Sequence, residues 1–154
     1  MHESVAGLYG NRVRIRVCGL CWQENRLLLV NHAGLNDTAF WAPPGGGVEF
    51  GSSARQNVER EVLEETGLIV ETVDFRFACE FVQPPLHSVE LFFEALPRGG
   101  TLQAGSDPEL NIIREAKFMG WDEISALPFS DLHGIFRLAR NAEEFRNLRG
   151  FHRI

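Results

Sequence analysis

The stretch from Pro43 to Leu68 limits this chain's options more than any other. It opens Pro43-Pro44 and runs straight into Gly45-Gly46-Gly47. Proline cannot donate to a β-ladder, so a strand at Phe40–Ala42 must stop there. Glycines lack a Cβ, so the backbone can press close to a neighbour and turn its carbonyls inward. A short extended piece is expected at Val48–Phe50, within a loop from Gly45 to Gly51. A helix then begins at Ser53, whose hydroxyl can cap it, with Gln56 three residues on to complete a capping box. Gly67, directly after Thr66, is placed to end the helix in a left-handed residue. Ala54, Val58 and Val62 form one apolar stripe along it. A single-stripe helix of this length must lie on something flat, and the flanking sequence supplies strands.

Residues 12–17 alternate Arg-Val-Arg-Ile-Arg-Val, which predicts a strand with Val13, Ile15 and Val17 inward. A polar turn at Gln23–Asn25 leads to a second strand, Arg26–Val30. Ile69–Val82 and Ser88–Leu96 read as two long strands joined through Pro84-Pro85, followed by a polar loop from Arg98 to Asn111. Ala116–Trp121 is a further strand and Asp122–Leu127 one helical turn. Asp131 is expected to cap a last helix with Leu132, Ile135, Phe136 and Leu138 at helical spacing. Strands before, beside and after one central helix predict an α/β fold with helices packed on a mixed sheet.

The chain has 154 residues, enough for one domain with a core of its own. Its net charge of −6 argues against a broad nucleic-acid or anionic-membrane surface. It leaves small anionic substrates open, since a bound metal can supply positive charge locally. No apolar run reaches the roughly 18 residues of a membrane span. The N-terminus has no basic start ahead of an apolar stretch, so no signal peptide is read. Three cysteines without such a signal read as reduced thiols of a cytoplasmic protein. Cys18-Gly-Leu-Cys21 has CxxC spacing, but on a strand those two side chains point to opposite faces, which favours plain buried cysteines.

The central helix also carries Glu61, Glu64 and Glu65. On a helical wheel they span an arc of about 100° and rise about 6 Å along the axis. Like charges at these spacings repel, so the arrangement is most easily understood with a cation on it. A solvated acidic face is the competing reading, since Glu is a good helix former. The glycine run ahead of the helix favours a site. Carboxylates on the edge of a packed helix suit a hard ion such as Mg2+ or Mn2+, which takes oxygen ligands and keeps waters that a phosphate can replace. Arg60 lies near Glu64 at i+4 and can orient a carboxylate through its fork of donors.

Gly46, Arg60, Glu61, Val62, Glu64, Glu65, Gly67 and Leu68 together resemble the signature of the Nudix (MutT-like) hydrolases. That pattern is Gly, five residues, Glu, seven residues, Arg-Glu, an aliphatic, any residue, Glu-Glu, any residue, Gly and an aliphatic. One fixed position differs: Ser52 stands where the family has its first Glu, usually a supporting residue. The resemblance implies an α/β/α sandwich over residues 1–154 and Mg2+-dependent hydrolysis of a nucleoside diphosphate linked to another group. It implies Glu61, Glu64 and Glu65 as metal ligands, the Gly45 carbonyl as a further one, and Glu61 and Arg60 in the catalytic machinery. Family members also take a general base from a later loop, and Glu109 in Ser106–Leu110 is the candidate, ahead of Glu115 and Glu80.

Substrate clues are fewer. Phe40, Trp41, Phe75, Phe77 and Phe81 could stack a base or fill the core. Arg12, Arg14 and Arg16 share one strand face, which could meet phosphate, a partner subunit in a homodimer, or solvent. His87 reads as a surface residue. Pro84 lies sixteen positions after the box, a spacing similar to that of members acting on ADP-ribose. The expected substrate is therefore of ADP-ribose or nucleotide-sugar type. Oxidised or ordinary nucleoside triphosphates are the alternative, and a silent nucleotide-sensing module is the alternative from another class.

Overall fold

The two longest apolar-rich stretches pair with one another and form the centre of the molecule. A computed structural model describes residues 3–32, 39–103 and 113–154. In chain order the elements are α1 (Glu3–Tyr9), β1 (Arg12–Leu20), β2 (Trp22–Gln23), β3 (Arg26–His32), β4 (Trp41–Ala42), β5 (Gly45–Gly47), α2 (Ala54–Thr66), β6 (Leu68–Gln83), β7 (Leu86–Gly100), β8 (Ile113–Gly120), α3 (Trp121–Ser125), α4 (Ala142–Arg146) and β9 (Phe151–Arg153). Short 3-10 turns occupy Phe129–Asp131 and Gly134–Arg137.

Five strands form a mixed sheet in the order β5-β1-β7-β6-β9. Here β1 runs parallel to β7 and antiparallel to β5, while β6 is antiparallel to β7 and parallel to β9. A second sheet has β3 at its centre, paired with β2, β4 and β8, all antiparallel. Two apolar clusters cover opposite faces of the five-stranded sheet. One packs Val17, Phe93, Ala95, Leu68 and Val70 against Val58 and Val62 of α2, with Ala54 alongside. The other packs Cys18, Leu20, Phe77, Phe92 and Cys79 against Ile124, Ile135, Phe136 and Phe145 of the C-terminal segments. Each such aromatic or branched side chain stabilises the fold by about 1.5–3 kcal/mol when fully buried. The arrangement is the expected α/β fold, with the glutamate-bearing helix packed on a mixed sheet.

The ends of α2 form as the sequence predicts. Ser53 accepts a hydrogen bond from Gln56 N–H, the Gln56 side chain returns to the Ser53 backbone, and Gly67 stops the helix at φ 78°. Cys18 and Cys21 are free, buried, and belong to opposite clusters.

Three expectations need correction. Val17 is buried, but Val13 and Ile15 are 58% and 47% exposed. The apolar cluster under α2 begins at Val17, so the first half of β1 runs beyond it, and there the arginine side of the strand finds the partners. Arg14 lies over the Tyr9 ring at 3.5 Å, and Arg16 pairs with Glu90. The extended piece expected at Val48–Phe50 lies three residues earlier, at Gly45–Gly47, where β1 provides a hydrogen-bonding edge. The last helix expected from Asp131 is replaced by two 3-10 turns. His133 begins a new turn by accepting Ile135 N–H, and the glycine at 134 weakens a continuous helix. The spacing still buries Leu132, Ile135 and Phe136.

Candidate active site

The site is assembled where β5 meets α2. Three glycines form a strand with no side chains, at the edge of the five-stranded sheet. A Cβ at Gly46 would lie 2.5 Å from Glu61 Cδ, and one at Gly45 would lie 2.6 Å from Cys18 Sγ. The absence of side chains is therefore what lets the helix carboxylates reach the strand. Glu65, almost fully buried, accepts the Gly45 N–H at 2.9 Å through Oε1. Its Oε2 stands 3.5 Å from Nε2 of buried His32.

Arg60 ties this arrangement together, differently from the sequence expectation. Its Nη1 meets Glu49 Oε2 at 2.5 Å, and its Nη2 meets Asn57 Oδ1 at 2.8 Å and Glu61 Oε1 at 3.2 Å. Glu64, the expected partner at i+4, is 3.9 Å from Arg60 Nε and stands at the open rim, its side chain 39% exposed. Asn57 is buried and completes the staple. Its Oδ1 also accepts Glu49 N–H at 3.1 Å, and its Nδ2 donates to Ser53 O at 2.6 Å. Loop and helix are thus cross-linked through Glu49, Asn57 and Arg60.

The structure brings Glu61, Glu65, Arg60, Gly45 and Gly46 together and sets Glu64 further out. Among the described residues no three His, Cys, Asp or Glu side chains converge on one point. The donors at the glycine strand are carboxylate oxygens beside backbone carbonyls, and that chemistry fits a hard divalent cation. Glu109 lies outside the described residues. Of the weaker base candidates, Glu80 is bound to His87 at 2.8 Å and Glu115 lies 4.0 Å from Lys117. Among the aromatics, Phe77 and Trp41 are core, while Phe75 is about half exposed.

A second group of polar residues lies on the opposite side of β1 from α2. Glu90 is buried, with Oε2 2.6 Å from Arg16 Nη1 and Oε1 2.8 Å from His133 Nε2. The Cys18 thiol is 3.7 Å from Oε2. Burial alone would push the Glu90 carboxyl up, but His133 and Arg16 more than reverse this and bring it to about 2. The same burial, with Glu90 beside it, pushes the Cys18 thiol well up. Sequence reading missed Glu49, Asn57, Glu90 and His133. Glu90 had one signal: in Val-Glu-Leu-Phe-Phe it shares the inward register with Phe92, a position where a lone acid needs a partner.

The sequence matches the family model of the NUDIX domain over residues 10–138. It is 31% identical over 117 residues to an ADP-ribose pyrophosphatase of Methanocaldococcus jannaschii. That match takes in 75% of this chain and 66% of the relative, just under two thirds of its length. Among solved structures, a NUDIX hydrolase from Nitrosomonas europaea superposes with a TM-score of 0.71 at 23% identity, over 92% of this chain and 78% of that one. An ADP-ribose pyrophosphatase from Streptococcus suis gives 0.61 at 24% identity, over 90% of this chain and 98% of that one. These structural likenesses concern the fold, and the family follows from the domain match together with the Gly46–Leu68 pattern. The chain belongs to the Nudix family, whose domain takes up residues 10–138.

Proposed function

We propose that this protein is a divalent-metal-dependent pyrophosphohydrolase acting on a nucleoside diphosphate joined to a second group, of ADP-ribose or nucleotide-sugar type. The observation that carries the reading is the lodging of Glu61 and Glu65 against Gly45 and Gly46, with Arg60 holding Glu61 and the loop's Glu49 at once. Glu61, Glu64, Glu65 and the Gly45 carbonyl would hold the ion, Mg2+ or Mn2+. When bound, the ion would neutralise the diphosphate and lower the pKa of a water. The residues themselves do the positioning. The glycine strand lets the Glu61 and Glu65 carboxylates close on its backbone, Asn57 fixes the loop on the helix, and Arg60 sets the Glu61 carboxylate. Water adds to phosphorus, the P–O–P bond breaks, and two monophosphates leave. Glu109 is proposed as the base that takes the water's proton. The relative named as an ADP-ribose pyrophosphatase supports the substrate class.

A cytoplasmic setting is part of the same proposal, supported by three free, buried thiols. No helix among the described residues is long and apolar enough to cross a membrane. The test is a product assay over ADP-ribose, nucleotide sugars, dinucleoside polyphosphates and nucleoside triphosphates, each with Mg2+, Mn2+ or EDTA. The expected result is metal-dependent conversion of ADP-ribose or a nucleotide sugar to two monophosphates. Exclusive release of pyrophosphate from triphosphates would move the substrate class, and no metal-stimulated cleavage at all would overturn the enzyme reading.

A further inference from the structure

Arg16 occupies an unusual place. In the sheet register it lies directly opposite Gly47 of the glycine strand on one side and Glu90 of β7 on the other. Among the described residues its one hydrogen bond is the 2.6 Å contact from Nη1 to Glu90 Oε2. The other Glu90 oxygen is held by His133, and among the described residues Arg16 meets the carboxylate through one nitrogen only. The Arg16 Nε is buried without a hydrogen-bond partner among the described residues, while the side chain as a whole keeps 25% of its surface open. A guanidinium held only to stabilise the fold would be expected to use its fork on its anchor. This one is fixed by one nitrogen and keeps donors to spare, on a strand whose backbone pairs with the glycine strand. The pair is linked to the carboxylate site through Cys18, whose Sγ is 3.7 Å from Glu90 Oε2 and would lie 2.6 Å from a Cβ at Gly45, the residue whose N–H Glu65 accepts.

We infer that Arg16 is a substrate-contact residue whose guanidinium, anchored by Glu90, donates hydrogen bonds to a phosphate of the diphosphate lying along the glycine strand. The inference rests on the diphosphate reading of this site and adds a cation from outside the Gly46–Leu68 segment. Glu90 and His133 are then positioning residues. Ile135 N–H donates to His133 Nδ1, which leaves His133 Nε2 to donate to Glu90, and Glu90 in turn sets Arg16. The chemistry it would recognise is a phosphoryl group with two oxygens turned toward the fork, and lysine would supply the charge without the fork.

The experiment uses calorimetric binding of inorganic pyrophosphate and of α,β-methylene ADP-ribose in EDTA, with thermal melts, for wild type, R16K, R16Q, E90Q and R16Q/E90Q. Loss of a charge-assisted contact should weaken binding about tenfold or more in R16Q, with R16K between. R16Q leaves Glu90 buried beside a neutral partner, so its melting temperature should fall, and the added E90Q should recover much of that fall without recovering affinity. With metal present, KM should rise more than kcat falls. A folded R16Q/E90Q that binds both probes within about twofold of wild type would overturn the inference, as would wild type that binds neither probe. Should R16Q not fold, the double variant decides. A wild type that hydrolyses nothing yet binds pyrophosphate through Arg16 would defeat the proposed activity and leave this inference standing. Normal hydrolysis with affinity unmoved in R16Q would do the reverse.

Discussion

Two ionic networks lie either side of the first strand, and they are built on opposite principles. The network around Arg60 gathers Glu49, Glu61 and Glu64 at a rim, where Glu49 keeps 66% of its side chain in solvent. The network around Glu90 is interior, with Glu90 and His133 both buried. Charges at a rim are screened and attract weakly, so they can rearrange when a ligand arrives. Charges in an interior are costly to desolvate and costly to separate, so they hold one geometry. The contrast suggests a division of labour: the rim network adapts to whatever binds the glutamates, and the interior network holds β1, β7 and the C-terminal segment in one geometry.

The strongest way to break this contrast is at the glutamates themselves. Glu61→Gln or Glu65→Gln should lower metal-dependent turnover by about 10²–10³-fold or more while circular dichroism and melting stay near wild type. Near-normal turnover in either would remove the helix carboxylates from the chemistry. Next comes Glu90→Ala, which strands Arg16 and His133. It should cost about 3 kcal/mol, at the low end for a broken buried pair because Arg16 keeps part of its side chain in water. For a chain of this size that is roughly 6–12 °C in melting temperature.

The same residue makes a pH signature. Glu90 is held at about 2 against its ordinary 4.5. As acid is added, the unfolded chain therefore takes up the proton first. The stabilisation is complete above 4.5 and is lost as pH falls toward 2. Acid melts of Glu90→Gln should lose this slope between those values, and an unchanged slope would mean the interior network is not what fails in acid. The smallest effect is expected at the loop. Glu49→Gln should reduce turnover by about two- to fivefold, with stability changed by less than about 1 kcal/mol. Ser52 N–H donates to Glu49 O at 3.1 Å, so the two positions flank one tight turn. Ser52→Glu in the Glu49→Gln background should then restore turnover, and failure to do so would show that only position 49 can serve Arg60.

The rim network was largely legible in the sequence because it is local. Cap, stripe, stop and glutamate spacing all fall within twenty-odd residues, and each follows from helical geometry. Arg60 was legible as an orienting residue but not its choice of Glu49, which depends on how the loop folds back. The interior network was hidden for the opposite reason. Arg16 and Glu90 are 74 residues apart, and only the parallel pairing of β1 with β7 makes them neighbours. The alternation in residues 12–17 gave the correct strand and the wrong face for Val13 and Ile15. Period two states that the two sides differ, and which side is covered depends on how far α2 reaches. The C-terminal segment shows a similar limit, since the spacing of Leu132, Ile135 and Phe136 gave their burial while Gly134 and the His133 cap set the backbone.

The side-chain-free strand also bears on how such a chain can change over time. At Gly45 and Gly46 even a methyl group would strike Cys18 or the Glu61 carboxylate, so these positions have almost no neighbouring sequences to explore. Variation in what the protein accepts must enter elsewhere, through residues whose side chains face the cleft without supporting the strand. In a deep mutational scan under selection for activity, positions 45 and 46 should be blank apart from glycine. Positions that bear on the site without packing on that backbone are where a lineage could drift from one substrate to the next without first losing the reaction.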